Sequence, residues 1–162
     1  MRPRADKPAR DASAFDEERS SSIGYLIRSA SKHILAQLQQ RLEPHDVTLG
    51  QYFVLRELWE NEGITQRELS ARIGVQEPGT VAAIDAMEKR DLVLRVRSKQ
   101  DRRKIHVYLT ARGRGLRHQL LGYARDVIDE AMADFSREEV ETLRSLLQRL
   151  KARLEARSEE TE

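Results

Sequence analysis

Apolar positions along the chain follow two periods. Ile23, Leu26, Ile27, Ala30, Ile34, Leu38 and Leu42 recur at steps of three and four, the stripe of an amphipathic helix that Glu43 and Pro44 stop. Thr48 and Gln51 form a capping box ahead of Tyr52, Phe53, Leu55, Leu58 and Trp59, a second helix ended by Asn61, Glu62 and Gly63. Thr65 and Glu68 form another box and open a short helix that buries Leu69 and Ile73. Gly74 makes a turn, and a further helix beginning near Glu77 and Pro78 directs Val81, Ile84 and Met87 inward. The period then drops to two. Leu92, Leu94 and Val96 alternate with Val93, Arg95 and Arg97; after a polar gap Ile105, Val107 and Leu109 alternate with Lys104, His106 and Tyr108. This is a hairpin of two half-buried strands with its tip at residues 98–103. The helical period returns in Leu116, Leu120, Ala124, Val127, Ile128, Ala131 and Phe135, a continuous helix of about seven turns that Gly113, Gly115 and Gly122 weaken without ending. Ser136 and Glu139 make a third capping box before the narrow seam Val140, Leu143, Leu147, Leu150 and Leu154.

Helix, turn, helix, hairpin is the order of a winged helix-turn-helix. The expected fold is therefore mainly α with a small β-hairpin, a winged helix-turn-helix domain flanked by N- and C-terminal dimerisation helices. Residues 1–22 are charged, contain proline and lack apolar stripes, so they form a tail that is disordered or ordered only by a partner. Arg2, Arg4, Lys7 and Arg10 leave open a nucleic-acid arm there. Residues 23–45 make the first dimerisation helix, 46–110 the DNA-binding domain and 111–157 the C-terminal dimerisation helices, with a disordered tail at 158–162. The outer helices carry more apolar stripe than a small winged domain covers, so they are expected to interleave with those of a second copy. An intramolecular three-helix bundle is the alternative.

Length and composition agree with one such domain: 162 residues, 35% charged and only 5% aromatic. No apolar run approaches a membrane span and the amino terminus lacks the apolar core of a secretory signal, so a cytoplasmic location without membrane contact is expected. The absence of cysteine excludes disulfides, thiolate metal sites and a cysteine redox switch. The net charge of +2 conceals a strong asymmetry: residues 90–117 hold ten Arg and Lys against two Asp, so the rest of the chain is net acidic. The hairpin alone carries Arg95, Arg97, Lys99, Arg102, Arg103 and Lys104, an arm suited to a polyanion.

With that charged hairpin behind a helix-turn-helix, the run Asp101, Arg102, Arg103, then Leu109, Thr110 and Gly113, resembles the MarR family of bacterial transcriptional regulators over roughly residues 23–154. Physics assigns Arg95, Arg97, Lys99 and Lys104 to phosphates, together with the helix amino terminus at Thr65 and Gln66, whose free N–H groups favour an anion. The resemblance implies that Asp101 holds Arg103 and that Arg103 enters the minor groove. A planar guanidinium suits a narrow negative groove, and a bidentate carboxylate would fix its rotamer. At the leading end of the recognition helix Gln76, Pro78, Gly79, Thr80, Ala82 and Ala83 are expected to be exposed. Gln76, Glu77 or Thr80 would read bases, with methyl contacts and shape replacing the rest, although Thr80 could equally bond its own backbone. The chain departs from the family where many relatives have arginines at Ala82 and Ala86 and a glycine at Asp91.

The resemblance also implies a small, often aromatic anionic effector bound between dimerisation helices and winged domain. Two rows could supply it: Tyr25, Ser29 and His33 on the first helix, and Tyr52, Arg56 and Trp59 on the second, with Arg56 taking a carboxylate. The alternative is that Tyr52 and Trp59 are core, Arg56 is solvated or ion-paired and His33 is incidental. The expected function is that of a homodimeric repressor on an A·T-leaning palindromic operator, released by the effector. A ligand-blind architectural DNA-binding protein, or a winged helix that binds only protein, is the competing reading. An enzyme is not expected: His33, His45, His106 and His118 lie on separate elements, His45 in a loop and His106 facing solvent. No metal motif or phosphate loop accompanies them, so no catalytic residue, metal or cofactor is assigned.

Overall fold

The structure, a computed structural model, describes residues 21–159. The expectations for the tail through residue 20, its arginine arm included, and for residues 160–162 fall outside the described residues. The chain divides into two compact units between Tyr123 and Ala124.

In the first unit α1 spans Ile23–Leu42, and Ser22 caps it by accepting the Tyr25 N–H. It buries Leu38 and Leu42 but leaves Ile23, Leu26 and Ile27 exposed. A short 3₁₀ turn, Glu43–His45, with Asp46 at φ 54°, reverses the chain into α2, Leu49–Glu60. This helix is the centre of the unit, with Tyr52, Val54, Leu55, Leu58 and Trp59 all buried. Helix α3 spans Gln66–Ile73 and α4 spans Glu77–Lys89, joined at Gly74, whose φ of 66° ends α3 in the left-handed conformation glycine tolerates. Thr48 with Gln51 and Thr65 with Glu68 make the two capping boxes their spacing dictates.

Strands β1, Val93–Arg97, and β2, Ile105–Leu109, pair antiparallel. A third short edge, not foreseen, flanks β2: the Gly63 N–H donates to the Val107 carbonyl at 2.9 Å and the Val107 N–H to Ile64 at 2.9 Å. His106 therefore does not face solvent; it is half-buried, with Nδ1 2.8 Å from the Gly63 carbonyl oxygen. The apolar face of β1 is also reversed from the expectation. Val107 and Leu109 point inward, and register sets Arg95 and Val93 opposite them. Directly opposed residues share a face, so Leu94 and Val96 lie outside, exposed. Leu92 is buried but precedes the strand, in the turn where Asp91 adopts φ 55°.

The expected continuous helix after the hairpin is broken. Helix α5, Ala111–Gly115, ends at Leu116, and α6, Arg117–Ala131, starts anew; Phe135 lies beyond it. Thr110 caps α5 by accepting the Gly113 N–H at 3.1 Å and donates its hydroxyl to the Asp91 carbonyl at 2.6 Å. Trp59 Nε1 donates to the Gly113 carbonyl at 3.0 Å, tying α2 to the same corner. In the second unit α7, Arg137–Glu159, opens with the third box: Ser136 N–H on the Glu139 carboxylate at 2.8 Å and Glu139 N–H on the Ser136 hydroxyl at 3.3 Å. Its Leu146, Leu147, Leu150 and Leu154 are exposed. No helix among the described residues is long and apolar enough to cross a membrane.

Candidate nucleic-acid interface

The amino end of α3, the first turns of α4 and the hairpin tip face one another across a cleft of about 730 Å³. Thr65, Gln66 and Arg67 line one wall, Glu77 and Val81 another, and Asp101, Arg103 and Lys104 the third. Sequence reasoning missed Arg67, an exposed cation directly after Gln66.

The α3 end is less open to an anion than expected. The Glu68 carboxylate takes both the Thr65 N–H and its hydroxyl at 2.7 Å, and these bonds hold its pKa below the ordinary carboxylate value, the backbone bond most of all. The N–H groups of Gln66 and Arg67, at the first two helical positions, remain without intrahelical acceptors.

Helix α4 begins with Pro78 in its first turn, where a missing N–H costs nothing. Gln76, Pro78, Gly79 and Ala82 are exposed as expected, while Ala83 is half-buried. Thr80 is not a reading residue: it is 1% exposed and its hydroxyl has no hydrogen-bond partner, so it neither reaches a base nor bonds the backbone. The reason is helical phase, because residue 80 shares the inward face with Ile84 and Met87.

The wing tip is built around Ser98 and Asp101. The Ser98 hydroxyl accepts the N–H groups of Gln100 and Asp101, and the Lys104 N–H closes onto the Asp101 carbonyl. Asp101 Oδ1 accepts the Arg103 backbone N–H at 3.0 Å and its Nε at 3.2 Å. The acid holds the arginine, but through Nε and the main chain rather than as a bidentate fork. The Arg103 side chain is 92% exposed. These bonds, the backbone one first, keep the Asp101 carboxyl below its usual pKa. Arg97, Lys99, Arg102 and Lys104 are exposed and form no ion pair with a described residue.

Arg95 departs from its expected place on phosphates. Its guanidinium folds inward onto α4, with Nη1 2.7 Å from Asp85 and Nη2 2.6 Å from Glu88.

A model of the MarR family matches residues 47–105, an interval that contains every residue lining the cleft. The chain is 28% identical over 100 residues to the helix-turn-helix transcriptional regulator TtmR of Methylorubrum extorquens, covering 62% of this chain but only 51% of that protein. Among solved structures, a MarR transcriptional regulator from Methanosarcina mazei Go1 superposes with a TM-score of 0.75 at 26% identity, covering 83% of this chain and 97% of that one. The transcriptional repressor CouR, solved on a 23-mer DNA duplex, gives a TM-score of 0.71 at 29% identity, covering 83% and 95%. CouR from Rhodococcus jostii RHA1 has also been solved with p-coumaroyl-CoA, with a TM-score of 0.71 at 26% identity, covering 81% and 92%.

The chain is similar to MarR-family regulators across its helix-turn-helix and wing. The matched proteins with a stated role are transcriptional regulators. In the second of the two candidate effector rows two side chains are buried. Tyr52 and Trp59 are core, their rings 6.4 Å apart edge to face, and burial pushes the Tyr52 phenol up despite nearby Arg56. Arg56 alone of that row is exposed. On α1, Tyr25 and Ser29 are half-buried, Arg28 stacks on the Tyr25 ring, and exposed His33 is 2.7 Å from the Ser29 carbonyl oxygen. Among the described residues no group of three or more His, Asp or Glu is placed to hold a metal ion.

Proposed function

We propose that this chain is a MarR-type regulator, a cytoplasmic homodimeric repressor that grips a palindromic operator with one recognition helix and one wing per protomer. The observation that carries the reading is the wing tip: Arg103 held at Nε by Asp101, its side chain 92% exposed, across one cleft from the exposed start of α4. A guanidinium held in this way enters a narrow minor groove without first losing rotamer freedom. Arg97, Lys99, Arg102 and Lys104 contact phosphates, joined by the α3 end at Gln66 and Arg67. Gln76, Pro78, Gly79 and Ala82 meet the major groove. With alanine at 82 and Thr80 buried, base discrimination rests on Gln76, methyl contacts and DNA shape, which favours A·T-leaning sites.

Two copies meet through the exposed stripes of α1 and α7 and set the two recognition helices about 34–36 Å apart, one helical turn of DNA. A small aromatic or anionic effector, of the kind CouR is solved with, releases DNA by favouring a different spacing, and its effect is limited to its preference between the two arrangements. Gel shift on a duplex selected by the protein from a random pool tests the reading. Arg103→Ala is expected to weaken binding by about 1–3 kcal/mol and to relax preference at the minor-groove positions. Equal affinity of wild type for selected and scrambled duplex would instead mark a ligand-blind architectural protein.

A further inference from the structure

We infer that Arg95 is a positioning residue that braces the wing against the recognition helix, setting the distance between the two DNA-reading elements. The inference rests on the DNA-binding role proposed above.

Asp85 and Glu88 stand three residues apart on α4, a spacing that puts them side by side on one face. Arg95 bridges them: Nη1 reaches Asp85 at 2.7 Å, while Nη2 and Nε both reach one Glu88 oxygen, at 2.6 and 3.1 Å. The other Glu88 oxygen accepts the Arg95 backbone N–H at 3.3 Å, so the contact fastens the strand itself as well as its side chain. The strand register turns Arg95 to the inward face opposite Val107, whereas Arg97, two residues on, is exposed.

The brace does two things. The main chain between α4 and β1 is short and passes through Asp91 at φ 55°, so a second fastening is what stops the wing swinging about that turn. It also pairs two carboxylates on the recognition helix that would otherwise repel phosphates. Arg95 therefore acts on DNA through geometry and makes no phosphate contact of its own.

The test compares wild type, Arg95→Met, Arg95→Lys, Arg97→Met and the double variant Asp85→Asn with Glu88→Gln, on a duplex selected by the wild type and on a scrambled one, across a salt series. Arg97→Met is expected to reduce the salt slope by about 0.9. Arg95→Met should leave that slope unchanged, weaken the selected duplex by about tenfold and narrow the ratio between selected and scrambled binding. Loss of folded protein would lower both duplexes equally and leave the ratio alone. Arg95→Lys, which reaches one carboxylate, restores part of the ratio. The acid-neutralised double variant narrows the selected-to-scrambled ratio as Arg95→Met does while binding both duplexes more tightly than Arg95→Met, because no unpaired carboxylate faces the phosphates. Adding Arg95→Met to it narrows the ratio little further. In the free protein, amide exchange at Ser98 and Lys104 should quicken in Arg95→Met while α2 keeps its protection. A slope that falls as in Arg97→Met, additive losses, or an unchanged ratio would overturn the brace while leaving DNA binding standing. A wild type that selects no duplex would remove the DNA-binding reading itself, and the brace with it.

Discussion

A Cβ at position 113 would stand 2.1 Å from the Leu92 carbonyl oxygen, a separation no side chain survives, and that atom belongs to the backbone of the turn feeding the hairpin. Gly113→Ala must push α5 off the wing and is expected to cost about 3 kcal/mol or more, at the upper end of overpacking penalties. A urea midpoint within a few tenths molar of wild type would show that corner to be slack. Asp101 allows a sign to be worked out. Its carboxyl is held below the usual value by the Arg103 N–H and guanidinium, so the ionised form is the one the folded wing favours. The contact is complete above the unfolded value of about 3.9 and is lost as pH falls through the lower folded value. An NMR titration of the Asp101 carboxyl carbon should therefore have its midpoint below that of a free aspartate, and the wing should be unchanged between neutral pH and mild acid. A midpoint at or above the free value would contradict the assignment.

At the scale of elements, Thr110 shows how one side chain serves two. Its hydroxyl oxygen caps α5 and its hydroxyl hydrogen goes to the Asp91 carbonyl beside the wing. Thr110→Ala should cost about 1–2 kcal/mol and Thr110→Ser only a few tenths, read from thermal unfolding, since serine caps as well as threonine. Equal losses from both would mean that the methyl group, not the hydroxyl, matters. The three capping boxes were legible in sequence because each is a contact between residues three apart, closed before any tertiary structure exists. The strand-like edge at Gly63 and Ile64 was not, because its partner Val107 lies far along the chain. The inward face of β1 misled for the same reason: Leu94 and Val96 look like a buried face until β2 sets the register.

For the whole molecule, the exposed leucines of α7 and the exposed Ile23, Leu26 and Ile27 of α1 are among the large apolar side chains left uncovered in the described residues. If a second copy covers them, Leu150→Asp should convert a dimer to monomers in sedimentation equilibrium, because an unpaired carboxylate would have to be buried. The winged unit should keep its circular dichroism. An unchanged dimer would place the interface elsewhere.

What the residues determined alone was whatever depends on near neighbours along the chain: helix starts, the glycine turn, the hairpin and the surplus of cations on it. The wing tip belongs to this class, since Asp101 and Arg103 are two residues apart. What only the tertiary structure decided was the destination of side chains whose partners are remote. Thr80 turned inward with the core face of α4, and Arg95 left the phosphates for Asp85 and Glu88. Tyr52 and Trp59 joined the core instead of a ligand wall. The physical reason is common to all of them: composition sets how much charge and apolar surface a segment carries, but the desolvation and pairing that assign each group a place depend on which elements the fold sets against it.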